Sequence, residues 1–80
     1  MTVGEAVRQR ILDLCDQRNI TVNKLAILSG MTQSTLNNIV NHRNRSTTVS
    51  TIQKICDGLE ISIKDFFDTD LFENIEQEIK

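Results

Sequence analysis

Residues 21–41, TVNKLAILSGMTQSTLNNIVN, decide how this chain folds. Leu25 and Ala26 fall on one face of a first short helix, and Leu36, Ile39 and Val40 on one face of a second. This is the spacing of two amphipathic helices. Between them stands Ser29-Gly30-Met31-Thr32. Gly30 takes a positive φ without a Cβ penalty, which suits a residue just past a helix end. Met31 is apolar and plugs the corner. The Thr32 hydroxyl is placed to N-cap the second helix, as Thr21 is for the first. Ala26 is small enough to let two crossing helices approach closely.

Outward from this pair, Val3, Val7, Ile11, Leu14 and Cys15 make one inward stripe of a helix from about residue 2 or 3 to 18, with Leu12 covering an edge. Asn19 stops it, since Asn tolerates the left-handed conformation better than most residues. Ile20 then tucks in. The central helices run over about 22–29 and 33–41. The following segment, His42-Arg43-Asn44-Arg45-Ser46-Thr47, has no apolar residue to bury and belongs on the surface. Thr48 caps the next helix, whose inner face is Val49, Ile52, Ile55, Cys56 and Leu59. Ser62 caps a last short helix over 63–67, where Phe66 and Phe67 close the core. There is no proline and no alternation long enough for a sheet, so the expected fold is an all-α bundle of five helices. Residues 1–67 form the domain. Residues 68–80 carry a second apolar stripe of Leu71, Phe72, Ile75 and Ile79, spaced for an acidic amphipathic helix. That helix has two destinations, its own bundle or a second copy, which makes those four residues candidate dimer contacts.

Eighty residues bound the answer to one small domain. Apolar content of 39% with 25% charge is ordinary for a globular protein. No apolar run is long enough to cross a membrane and the N-terminus does not read as a signal peptide, so a cytoplasmic setting is expected. Cys15 and Cys56 lie on apolar helix faces and read as buried reduced thiols; a cytosolic setting argues against a disulfide. His42 is the lone histidine, and no metal or cofactor is expected. No Ser, His and Asp share a catalytic spacing and there is no Gly-rich phosphate loop, so the chain does not read as an enzyme.

The net charge of −2 hides an asymmetry. Residues 1–56 carry seven basic and three acidic side chains, or +4; residues 57–80 carry two and eight, or −6. No Asp or Glu occurs between Gln17 and Cys56, where Arg18, Lys24, Arg43, Arg45 and Lys54 stand. Such a split implies an anion-facing surface and an acidic end, or, more plainly, an acidic tail that keeps the chain soluble.

Two crossing helices with a Gly-containing turn are the pattern of a helix-turn-helix, whose second helix lies in the DNA major groove. The chain resembles the phage repressor and Cro-like domains, also called lambda-repressor-like or XRE-type. The resemblance runs from about residue 3 to 67. It is carried by ILDL in helix 1, RNIT at the entry to helix 2, LAILSGMTQSTLNNI through the turn, TVSTIQKIC in helix 4 and LEISIKDFF at the end. The chain departs from the family habit at Val22 (often Gln), Val40 (often Glu), His42 (commonly Gly) and Glu60 (commonly Gly or Asn).

The resemblance implies a sequence-specific regulator of transcription on a double-stranded DNA operator, bound as a homodimer. Gln33 and Ser34, at the start of helix 3, are then the base readers, followed by Asn37 and Asn38. Gln and Asn pair bidentately with adenine, and Ser serves several bases. Thr21, Thr32, Asn41, Arg43, Asn44 and Arg45 are the expected phosphate contacts, with Lys24 and Arg18 weaker candidates. The alternative is a protein-interaction module or antitoxin of the same fold, whose acidic tail binds a partner protein.

Overall fold

A computed structural model describes residues 1–41 and 47–79. Helix α1 spans Val3–Arg18, α2 Val22–Leu28, α3 Gln33–Val40, α4 Val49–Leu59 and α5 Ile63–Phe67, followed by a single 3₁₀ turn at Asp70–Phe72. Every helix begins on a hydroxyl residue. Thr2, Thr21, Thr32, Thr48 and Ser62 each sit in extended backbone and accept from the N–H three residues on, satisfying a donor that the helix cannot use. In α1 and α5 the bond is returned: Glu5 accepts from the Thr2 N–H at 2.8 Å, and Asp65 from the Ser62 N–H at 3.4 Å. The Thr2 backbone bond, with help from the Thr2 hydroxyl, holds the Glu5 carboxyl below its ordinary range.

Three helices also end in one way. Asn19, Gly30 and Glu60 take left-handed backbone, with φ of 56°, 67° and 58°. The N–H of the next residue then bonds the carbonyl five residues back: Ile20 to Cys15, Met31 to Ala26 and Ile61 to Cys56, each at 3.0 Å. Ile20, Met31 and Ile61 all pack against the core, the apolar contact that accompanies this helix stop. At Glu60 the chain accepts a conformation that costs a side-chain-bearing residue ~1–2 kcal/mol.

The core joins Val7, Ile11, Leu14 and Cys15 of α1 to Leu25 and Ala26 of α2, Leu36, Ile39 and Val40 of α3, Ile52, Ile55, Cys56 and Leu59 of α4, and Phe66 of α5. Ala6, off the stripe read from spacing, is also fully buried. α2 packs on α3 and α4, while α1 packs on α2, α3 and the 3₁₀ turn. Gly58 makes the α2–α4 approach feasible. A Cβ there would lie 2.7 Å from the Ser29 hydroxyl oxygen and 2.9 Å from the Leu28 carbonyl group. Arg10 of α1 ties down α5 by donating to the Phe66 and Asp65 carbonyl oxygens at 2.7 and 2.8 Å. These carbonyls lie in the last turn of α5, where a cation is favoured.

Three expectations need correction. Val3 is exposed at the start of α1, and Val49 is 68% exposed. Each is the first residue of its helix, a turn ahead of the first core contact. The tail is not an amphipathic α-helix. Phe72 folds back onto Phe66 and Phe67, with ring centroids 6.4 and 4.8 Å away, and the Glu76 N–H donates to the Met1 carbonyl at 3.1 Å. Leu71, Phe72 and Ile75 are thereby half-buried on their own chain, while Ile79 is 87% exposed. Closing the aromatic cluster buries adjacent residues 71 and 72 together, which overrides the fourfold spacing of the stripe.

Two substitutions test this packing in urea or thermal unfolding. Glu60→Gly relieves the left-handed strain and is expected to raise stability by ~1 kcal/mol. Gly58→Ala would stabilise an exposed helix site, but here it drives a methyl into the end of α2 and should lower stability by ~1–3 kcal/mol. An unchanged or raised midpoint for Gly58→Ala would refute the close approach.

Candidate nucleic-acid interface

α3 has two faces because its apolar residues fall at 36, 39 and 40. Leu36, Ile39 and Val40 are buried, and Gln33, Ser34, Thr35 and Asn38 are exposed, with Asn37 half-buried between them. The turn from Ser29 to Thr32, with Gly30 at positive φ and Met31 against the core, sets α3 across α2. α4 supports the other side of α2 through Gly58. The exposed face of α3 therefore stands on two packed helices, and it is polar and uncharged.

The expected base readers, Gln33, Ser34, Asn37 and Asn38, all lie on this single helix. Gln33 and Ser34 occupy its first turn, and Asn38 is exposed one turn later. Asn37 is engaged: its Nδ2 donates to Oδ1 of Asn23 on α2 at 3.2 Å. Asn23 was not among the residues that sequence patterning singled out. An exposed polar residue in a helix carries no signal of its partner 14 positions away.

Among the expected phosphate contacts, Thr21 and Thr32 are exposed, and each accepts from its own helix, from the Lys24 and Thr35 N–H groups at 3.0 and 3.1 Å. The Thr32 hydroxyl also shares a 2.7 Å bond with the Thr35 hydroxyl. Asn41 is exposed and closes α3, its backbone N–H donating to the Asn37 carbonyl at 2.9 Å. Arg43, Asn44 and Arg45, with His42, lie outside the described residues. Arg10 is engaged by the α5 carbonyls.

The electrostatics follow the caps. α1 and α5 carry an acid in the first turn, Glu5 and Asp65, whereas α2, α3 and α4 carry none. The partial positive charge at the starts of these three helices is therefore not cancelled locally, a favourable setting for an anion. The acid-rich end belongs to α5 and the tail, whose main neighbours are α4 and α1.

Among the described residues no group of three or more His, Cys, Asp or Glu side chains can hold a metal. Cys15 and Cys56 are buried and free. Burial, with a smaller push from Asp16 and Asp57 respectively, raises both thiols above their ordinary range, so they remain protonated packing groups. No described helix is long and apolar enough to cross a membrane.

A family model described as the Cro/C1-type HTH DNA-binding domain matches residues 10–71. Among solved structures, the crystal structure of the prophage Lp1 protein 11 superposes with a TM-score of 0.80 at 39% sequence identity, covering 94% of this chain and 99% of that one. No curated protein matches. The resemblance to phage repressors read from the residues is borne out by both matches, and the match begins in α1 and ends in the 3₁₀ turn. The chain belongs to the Cro/C1-type helix-turn-helix DNA-binding domain family.

Proposed function

We propose that the chain is a sequence-specific transcription regulator of the cytoplasm that occupies a double-stranded operator with α3 in the major groove and represses by occupancy. The observation that carries this reading is the exposed amide and hydroxyl face of α3, mounted on a buried apolar face in a stretch without acidic residues. Gln33 and Ser34 read base edges, and Asn37 and Asn38 read the adjoining pairs. Amides suit this task because they offer donor and acceptor together without the desolvation cost of a charge.

Thr21, Thr32, Asn41, Arg43, Asn44 and Arg45 hold the phosphates, which position the domain without specifying sequence. One small module covers a short half-site, so the working form is a homodimer on a two-fold site with half-sites ~34–36 Å apart. Leu71, Phe72 and Ile75 are already half-buried in cis. A dimer surface at this end therefore uses their exposed edges together with Ile79. No catalytic step, metal or cofactor enters this function.

Selection from a random pool of duplex DNA in moderate salt, followed by sequencing, tests the reading. A palindromic motif is expected. No enrichment, together with no salt-sensitive binding at low ionic strength, would overturn it in favour of a protein-interaction module whose acidic tail takes a partner protein. Two variants separate the roles within the site. Gln33→Ala should cost ~1–3 kcal/mol on the preferred site and relax one position of the motif; an equal loss on all sequences would refute base reading. Arg43→Ala should weaken binding to every sequence and reduce the slope of log affinity against log salt by about one; an unchanged slope would remove Arg43 from the phosphate contacts.

A further inference from the structure

Asn23 and Asn37 form the only side-chain-to-side-chain hydrogen bond between two helices among the described residues; the others join residues three or four apart. It spans the two halves of the helix-turn-helix, and nothing in the packing requires it. Asn23 is exposed, Asn37 is half-buried, and the core beneath them is complete without either. The bond does change what Asn37 can offer a ligand. An asparagine amide has two N–H donors on one end and a carbonyl acceptor on the other. With one N–H given to Asn23, Asn37 retains one donor and the acceptor.

That remaining set matches one base and mismatches another. In the major groove adenine presents an acceptor (N7) beside a donor (N6), whereas guanine presents two acceptors (N7 and O6). A pinned amide with one donor and one acceptor satisfies adenine. It can satisfy guanine only by turning both N–H groups outward, which breaks the bond to Asn23. We propose that Asn23 is a positioning residue for DNA readout: by engaging one N–H of Asn37 it makes Asn37 select adenine over guanine. This rests on the operator reading above and deepens it, since it adds a residue on α2 that touches no base and still sets a base preference.

The test is pool selection followed by affinity measurement on single-base variants of the selected site, with the full chain as wild type, Asn37→Ala, Asn23→Ala and Asn23→Asp. Asn37→Ala identifies the motif position that Asn37 reads. At that position Asn23→Ala should reduce the preference for adenine over guanine by about threefold to tenfold, the weight of a single exposed hydrogen bond. Other positions and the melting temperature should stay near wild type. Asn23→Asp keeps the acceptor, so it should keep the preference while weakening binding to every sequence by adding a negative charge.

A wild-type motif that Asn23→Ala leaves unchanged at every position would overturn the positioning role and leave the operator reading intact. An Asn37 position that does not prefer adenine would do the same. Relaxation in Asn23→Asp equal to that in Asn23→Ala would overturn the assignment of Asn37 as donor. A wild-type pool without any motif would overturn the operator reading and this inference with it.

Discussion

The bundle depends on how sharply its helices stop. Asn19, Gly30 and Glu60 each turn the chain with one left-handed residue, and the apolar residue that follows is drawn back over the end of the helix just completed. Such a stop satisfies carbonyls that would otherwise be orphaned and commits the next segment to a fixed direction. Only residues 29–32 separate α2 from α3, so the direction set at Gly30 is the direction in which α3 is presented. The small contact of Gly58 on the end of α2 then holds that presentation from the other side. The angle of the presented helix is thus a property of backbone geometry and close packing, with no charge pair needed to maintain it.

On this frame attraction and discrimination are kept apart. In the proposed reading, attraction to a polyanion falls to an acid-free central stretch and to three helix starts whose first turns hold no carboxylate. It is sequence-blind and sensitive to salt. In the proposed reading, discrimination falls to the neutral amides and hydroxyls on one helix face, whose hydrogen bonds are short-ranged and little screened. Among the carboxylates, Glu5 and Asp65 serve the capping boxes of α1 and α5, Asp13 and Asp57 accept from the Gln9 and Gln53 amides one turn back, and Asp68, Asp70, Glu73, Glu76 and Glu78 stand on the tail.

Most of this was legible in the sequence because it is local. Caps at Thr21, Thr32, Thr48 and Ser62, the stop at Asn19 and the apolar faces of α2 and α3 each follow from residues within a few positions of one another. The features that escaped reading are those whose partners are distant in sequence. Arg10 finds its partners only when α5 is brought to it across 55 and 56 residues. Gly58 has no role in the local pattern of α4; its role lies in the end of α2 that rests on it. The tail departs from its pattern for a nearer reason. Its fourfold apolar spacing is a fair helix signal, but Phe72 gains more by joining Phe66 and Phe67 than by staying in register. At the site, the residue types and their helix were legible, and the Asn23–Asn37 bond was not.

The makeup of the exposed face of α3 has a consequence for the conditions under which it works. Gln33, Ser34, Thr35, Asn37 and Asn38 hold no proton that is gained or lost between mildly acidic and mildly alkaline solution. A face built on histidine or carboxylate would change its donor and acceptor pattern as the solution acidifies; this one presents the same pattern throughout. On the proposed operator reading, its choice among sequences would be buffered against the chemistry of its surroundings, and shifts in ionic conditions would alter how tightly the domain holds DNA far more than which DNA it prefers.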